Sequence, residues 1–363
     1  MPVRIQKDAM RYHLPVKLLT GMSAGLVLAA LAYFFWTKSA GNDVASASGS
    51  PGTVILRLSG SNTIGAALGP ALAEEFLRQR LRATEVKTVR GDKEDEVRVQ
   101  GLLPGESSVR VIEIHAHGSA TAFEDLGRLL CDIGMASRKI KPEEASRLAG
   151  FGDMTSPAAE HVLGLDGIAV IVSKANPVRS LAKEQLARVF AGEITNWRQL
   201  GGPSAGINVY ARDDKSGTYD TFKTLVLGSK KLVANAKRFE DSRELSDAVV
   251  KDLDGIGFIG LPYVRDAKAL AVSENGTRPF VPSHSTVSTE DYALSRRLFL
   301  YNASSPASDL ARKFVNFALS PEGQEIVERI GFVGQTVAPT QGMSVSAGEE
   351  SKGLRNNNNP LPT

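Results

Sequence analysis

Tyr210-Ala211-Arg212-Asp213-Asp214-Lys215-Ser216-Gly217-Thr218-Tyr219-Asp220-Thr221 is read as the end of a strand, a tight polar turn and the first turn of a helix. Ile207, Val209 and Ala211 alternate into the turn, the period of a half-buried strand. Phe222, Leu225 and Val226 follow at helical spacing, with Ser216 and Thr218 supplying hydroxyls at the helix start. Gly217 lets another group approach the backbone closely. Free N–H groups at a helix start, the positive end of its dipole and a nearby arginine fork together suit an anion. The same pattern also suits an ordinary capped helix with a surface salt bridge, so the rest of the chain has to decide.

The chain has 363 residues, enough for about two ordinary domains. Its apolar content of 42% and charged content of 23% are those of a globular protein. A formal charge of +3 without a basic stripe carrying aromatics argues against a nucleic-acid partner. Cys131 is the only cysteine, which excludes an intramolecular disulfide and a cysteine zinc cluster.

Leu18 to Trp36 is an uncharged run, long enough to cross a hydrocarbon layer of ~30 Å at about 1.5 Å per residue. Arg4, Lys7, Arg11 and Lys17 precede it, which places the short N-terminus in the cytoplasm and the rest outside. Residues 1–37 are therefore expected to be a cytoplasmic start plus an inner-membrane anchor. Ala45-Ser46-Ala47 lies rather far beyond the run for a signal cleavage site, which favours an uncleaved helix over a cleaved signal. No cysteine lies near the run, so no lipid-modified N-terminus is expected. Residues 38–52 are small and polar, a flexible tether, and residues 339–363 form a polar tail expected to be disordered.

Between them the strand–turn–helix pattern recurs. Val54, Leu56 and Leu58 run into Ser59-Gly60-Ser61-Asn62-Thr63, and Leu68, Leu72 and Phe76 continue as a helix. Residues 84 to 108 read as a hairpin or surface excursion. Ile112, Ile114 and Ala116 run into His117-Gly118-Ser119-Ala120-Thr121, followed by Phe123, Leu126 and Leu130. A strand Cys131–Met135 ends at Ala136-Ser137-Arg138, and Pro142 suits the first position of the next helix. In open parallel sheets ligands bind beyond the carboxyl ends of the strands, and four such ends here carry hydroxyls, glycine or arginine. Gly167–Ser173 is read as a buried strand, Leu245–Val250 as a helix, Gly255–Gly260 as a strand, and 292–301 as the return crossing. Two helices, 307–319 and 322–330, close the fold.

Gly60-Ser61-Asn62-Thr63, Gly118-Ser119-Ala120-Thr121, Asp132-Ile133-Gly134-Met135-Ala136-Ser137-Arg138, Asp166-Gly167-Ile168-Ala169-Val170-Ile171-Val172, Gly192-Glu193-Ile194-Thr195-Asn196-Trp197 and Arg212-Asp213-Asp214-Lys215-Ser216-Gly217-Thr218 stand in an order that resembles the phosphate-binding proteins of ABC phosphate importers. The resemblance spans roughly Thr53 to Val337. It implies an α/β, two-lobed type II periplasmic-binding-protein fold that closes on dehydrated phosphate in a cleft between the lobes. The first lobe would comprise 53–165 and 265–338, the second 166–264. It further implies a monomer that hands inorganic phosphate to an ABC importer permease, with no cofactor and no catalysis.

Carried over by position, Thr63 and Ser119 would bind the anion from the first lobe, within turns formed by Ser61, Asn62, Gly118 and Ser137. Arg212 would pair with it from the second lobe, helped by Ser216, Gly217 and Thr218, and Asp214 would hold Arg212. Part of the family has an aspartate at the place of Arg138, where its lone pairs reject an oxyanion with no proton to offer. Arg138 would instead join the ligand set and favour a more negative anion, leaving Asp166 or Asp213 as the acceptor. Two further classes stay open: a membrane-tethered oxyanion sensor or scaffold reading phosphate, sulfate or molybdate, and a phosphate-ester hydrolase with Ser216 as nucleophile. Ser216 is not in a Gly-x-Ser-x-Gly setting and no histidine is placed beside it. His115 and His117 face one side of a strand but lack a third ligand, so they are read as an edge-strand pair rather than a metal site. Trp36 is read as an interfacial anchor, Trp197 as core, and Asp92–Glu96 as a solvated loop.

Overall fold

The computed structural model describes residues 52–335 apart from 92, 94, 275, 305 and 307. The expected membrane run, tether and tail lie outside the described residues, among which no helix is long and apolar enough to cross a membrane.

The first strand, β1 (Thr53–Gly60), buries Leu56 and Leu58 and leads into a single helical turn, Asn62–Gly65, and the helix Leu68–Gln79. The hairpin of β2 (Thr84–Arg90) and β3 (Glu96–Leu102) follows, antiparallel, where the charged excursion is read in the sequence. Next come β4 (Val109–His115), the helix Ser119–Gly127 and β5 (Ile133–Ala136). β1 lies between β4 and β5 and is parallel to both, so three carboxyl ends emerge on one edge. β4 is also paired with β3, so it is an inner strand and the edge-strand reading of His115 and His117 does not hold. The helix Pro142–Arg147 has proline at its start, as expected.

β6 (Glu160–Val172) begins seven residues before the expected Gly167, because His161, Gly164 and Asp166 mask its apolar period. Beyond it lie β7 (Ser180–Ala182), the helix Lys183–Phe190, β8 (Asn208–Arg212), the helix Gly217–Phe222, β9 (Lys237–Phe239), the helix Ser242–Lys251 and β10 (Gly255–Gly260). Asp241 caps the 242–251 helix by accepting from the backbone N–H of Arg243 and Glu244. β8 is parallel to β9 and β10. After β11 (Lys268–Ala269), β12 (Ala271–Ser273) and the helix His284–Ser288, the chain returns along β13 (Ser295–Tyr301). The helices Asp309–Ala318 and Pro321–Ile330 close it.

The strand order is β2-β3-β4-β1-β5-β13-β6-β10-β8-β9. β6 is the join. Residues 160–167 pair with β13, and 168–172 pair with β10, both antiparallel. The parallel strands of the two lobes therefore run in opposite senses, and their carboxyl ends meet across the cleft. Two large apolar clusters hold the lobes, the first running on into the second lobe through Ile171, Leu245 and Ile259. Phe76, Phe314 and Phe317 cluster behind the first, with Phe76 and Phe314 edge to face at 5.2 Å. Phe190, Phe222 and Phe258 fill the second, where Phe222 and Phe258 stack at 4.0 Å. Each fully buried phenylalanine contributes about 1.5–3 kcal/mol, which fixes the backbone that carries the strand ends. Trp197 packs in this second core, its indole N–H donating to the Asp254 carbonyl at 3.0 Å.

Candidate functional site

The carboxyl ends of β1 and β4 form adjacent tight turns. Gly60 has a φ of +132°, and a Cβ there would lie 2.2 Å from the Met135 carbonyl oxygen. Its carbonyl accepts the Gly118 N–H at 2.7 Å, and the Ser61 N–H donates to Met135 at 2.8 Å. Three strand ends are thereby locked together by backbone alone. They bring Ser119 beside Ser137: Ser119 Oγ accepts the Ser137 N–H at 2.9 Å and lies 3.2 Å from Ser137 Oγ.

In the second lobe, Asp213 Oδ1 accepts the Lys215 N–H at 2.7 Å and shapes the turn after Arg212. Ser216 Oγ accepts the Tyr219 N–H at 3.3 Å as the N-cap of the 217–222 helix. The two sets of turns meet. Thr63 Oγ1 is 3.1 Å from Thr218 Oγ1, and the Ala120 N–H donates to the Lys215 carbonyl at 3.2 Å. A Cβ on Gly217 would stand 2.2 Å from Ser119 Oγ and 2.8 Å from Ser119 Cβ. Ser61, Asn62, Thr63, Ser119, Ser137, Ser216 and Thr218 are all buried. Of the residues singled out in the sequence, Thr63, Gly118, Ser119, Ser137, Gly217 and Thr218 are brought into direct contact across or beside the cleft. Asn62 joins them from the other side, accepting the Ser242 N–H at 3.3 Å.

Three buried arginines surround this cluster, and their partners differ. Arg138 donates from Nε to Asp220 at 2.7 Å and from Nη1 and Nη2 to the two oxygens of Glu144, each at 2.7 Å. Its charge is spent on two carboxylates, which together hold its pKa above the ordinary value against burial. It does not join the hydroxyl cluster as the sequence reading expects. Arg212, 1% exposed, donates from Nη1 to Ser242 Oγ at 2.6 Å, from Nε to the Phe239 carbonyl at 3.2 Å, and from Nη2 to the Glu240 carbonyl. All three acceptors are neutral, and among the described residues Arg212 makes no ion pair. Complete burial pushes its pKa down, opposed by the charges of Asp213 and Asp241. Two of its five N–H groups are left for another acceptor. Asp214 does not hold it: that carboxylate is exposed and pairs with Arg238. The backbone carbonyls at 239 and 240, invisible to a motif, take its place.

Arg296, on β13, was not foreseen. It donates to Asp166 Oδ2 from Nε at 2.9 Å and from Nη2 at 2.6 Å. Nη1 reaches Thr218 Oγ1 at 3.0 Å, and Nη2 approaches Thr63 Oγ1 at 3.4 Å. A guanidinium donating to these hydroxyl oxygens turns their O–H groups toward other acceptors. Asp166 Oδ1 meanwhile accepts the Leu261 N–H at 3.0 Å. Burial raises the Asp166 pKa, countered chiefly by Arg296. Asp166 is thus committed through both oxygens, while Asp213 accepts through Oδ1. A signal for Arg296 did exist, because residues 296, 298 and 300 share one strand face, and the other two are buried leucines. Arg296 is paired with the buried Asp166, whereas Arg212 has no carboxylate within ion-pair distance and feels Asp213, Asp241 and Asp95 only at longer range, which leaves an incompletely compensated guanidinium in this interior. It is suited to an anion.

A family model described as the PBP superfamily domain matches residues 46–322. Protein SphX of Synechococcus elongatus is 34% identical over 236 residues, covering 61% of this chain and 68% of that protein. Phosphate-binding protein PstS of Borreliella burgdorferi is 29% identical over 231 residues, covering 60% of this chain and 78% of that protein. Among solved structures, a substrate-binding protein of a phosphate ABC transporter from Clostridium perfringens, with bound phosphate, superposes with a TM-score of 0.61 at 27% identity, covering 77% of this chain and 99% of that one. With the two lobes and the facing turns, these matches establish that the chain belongs to the PBP superfamily.

Proposed function

We propose that this protein is an extracytoplasmic solute-binding protein that captures inorganic phosphate between its lobes and delivers it to an ABC importer permease. The observation that carries the reading is Arg212, a fully buried cation held by neutral acceptors at the place where hydroxyls from both lobes converge. A buried charge without a counter-charge costs several kcal/mol, and a divalent oxyanion supplies that counter-charge. The relatives named for phosphate binding support the same ligand.

The proposed ligand set is Thr63, Ser119, Arg212, Ser216, Gly217 and Thr218, within turns formed by Ser61, Asn62, Gly118 and Ser137. Charge-assisted hydrogen bonds of about 1.5–3 kcal/mol each offset the dehydration of the anion once closure excludes water. Arg296 acts through the two threonines. Arg138 and Asp214 are left out of the set because each is committed elsewhere. Asp166 and Asp213 both already accept from protein donors, and the arginine and backbone N–H donors of the set serve either anion, so sulfate is expected to compete with phosphate. The reading as a binder rather than a hydrolase is supported by Ser216, which caps a helix. His117, His161 and His284 are bonded to Glu96 and Glu240, to Asn302 and to Glu328. The run 18–36 is proposed to anchor the protein in the inner membrane.

Calorimetric titration of the full chain with phosphate, sulfate and molybdate tests this. One saturable site for phosphate is expected, with measurable competition by sulfate. No saturable heat with phosphate would remove the assignment.

A further inference from the structure

On the side of the cleft away from Arg138 a second set of charges faces across the seam. Asp95 and Glu96, read in the sequence as part of a solvated loop, turn inward instead: the Asp95 side chain is 8% exposed and that of Glu96 12%. His117 stands just beyond the end of β4 in the first lobe. Its Nε2 is 3.0 Å from Glu96 Oε1 in the same lobe, and its Nδ1 is 2.8 Å from Glu240 Oε1 in the other. Glu240 is the residue whose carbonyl holds Arg212, and Ser242, which also holds Arg212, donates its N–H to Asn62. The seam and the anion site thus share one short segment, 239–242.

We propose that His117 is a proton-operated clasp that holds the two lobes together over the bound anion. This rests on the phosphate-binding reading above. The imidazolium has two N–H donors and can serve both carboxylates, whereas neutral imidazole has one N–H and sets a lone pair against the other carboxylate. The groups facing His117 are Glu96 with Lys93 beside it, His115 at 6.5 Å between ring centroids, Asp95, and Glu240 from the opposite lobe. Asp241 and Arg243 extend the cluster, with Arg243 paired to Asp241 and 4.0 Å from Asp95.

Burial acts to lower the His117 pKa, but the two glutamates outweigh it and the net shift is upward. A raised pKa means that the clasp is present below the ordinary histidine range and is lost as pH rises through the raised value. Asp95, pushed up to about 6 by burial and by Asp241 and Glu240, also gains its charge as pH rises and then repels those two residues across the seam, a repulsion that Arg243 and His117 only partly offset. Both steps loosen the cleft in the same direction. Phosphate would be held longer in a mildly acidic compartment and released faster at neutral to basic pH.

The test is the rate of phosphate release from the full chain, by stopped-flow, at about pH 6 and about pH 8, for wild type, His117→Gln and His117→Lys. Ionisation of phosphate itself affects all three alike, so the difference between profiles isolates the clasp. Wild-type release is expected to accelerate about two- to fivefold more than that of His117→Gln. His117→Lys, charged at both pH values, should stay slow at the higher one. Parallel profiles for wild type and His117→Gln, or fast release by His117→Lys, would overturn the proposal. Spin labels on Lys87→Cys and Arg198→Cys, one per lobe, read the same step without phosphate: the separation should widen with pH more in wild type than in His117→Gln. If no phosphate binds at all, the phosphate reading fails, and the label distances alone decide the clasp, a pH-independent separation sinking it.

Discussion

Arg138 and Arg212 invite comparison, because both are buried arginines at strand ends, one in each lobe. Arg138 meets Glu144 and Asp220, the second of these from the opposite lobe, and its charge is neutralised. Arg212 meets two carbonyls and a hydroxyl, and its charge is not. Sequence position makes them look alike. Partners make the first a brace across the cleft and the second a receptor for something negative, so availability of charge, not its presence, marks a binding residue.

The sharpest break of that contrast is Arg138→Met. It leaves Glu144 without its cation and Asp220 with Lys141 alone, and a loss of about 3–5 kcal/mol of stability is expected, read by denaturant unfolding. Phosphate affinity should change far less than stability. Arg212→Met should do the opposite: affinity falls by over about a hundredfold, or ~2.7 kcal/mol, by titration calorimetry. The melting temperature should fall less than in Arg138→Met, because removal of an uncompensated buried charge offsets the three acceptors left without a donor. If Arg212→Met proves the destabilising one and Arg138→Met the binding-deficient one, the assignment of the two arginines is reversed. Ser119→Ala removes one hydroxyl and should weaken phosphate by about tenfold, ~1.4 kcal/mol. Asp214→Ala sharpens the comparison at the small end. With its carboxylate exposed on Arg238, it should alter affinity and stability by less than about 0.5 kcal/mol; a tenfold loss of affinity would return it to Arg212.

The strand ends were legible because the same signals repeat. Alternating apolar residues run into glycine and hydroxyls at Gly60-Ser61-Asn62-Thr63, Gly118-Ser119 and Ser216-Gly217-Thr218, and a helical period follows each. What was not legible is partnership. Nothing local to Arg138 announces that Asp220, 82 positions on, will take its Nε. Nothing in Asp213-Asp214 says which carboxylate turns inward and which stays in solvent. Arg296 and Asp166 are 130 positions apart and meet only because β13 and β6 pair, with these two residues opposite one another in register. The fate of Asp95 and Glu96 was hidden for a related reason. Acidic runs usually solvate, and only the fold brings His117 to Glu96 within one lobe and Arg243 to Asp95 across the seam.

Gly217 carries a consequence of its own. Its backbone faces the side chains of Ser119 and Ser137 with no room for even one methyl group, so the width of the shut cleft is gauged by bare main chain on one side and two small buried serines on the other. Alanine at this position would act as a doorstop. Each lobe would fold as before, yet the pair would stop short of contact and be trapped ajar. Ligand size is then policed by a dimension that ordinary side-chain drift elsewhere in the cleft cannot retune.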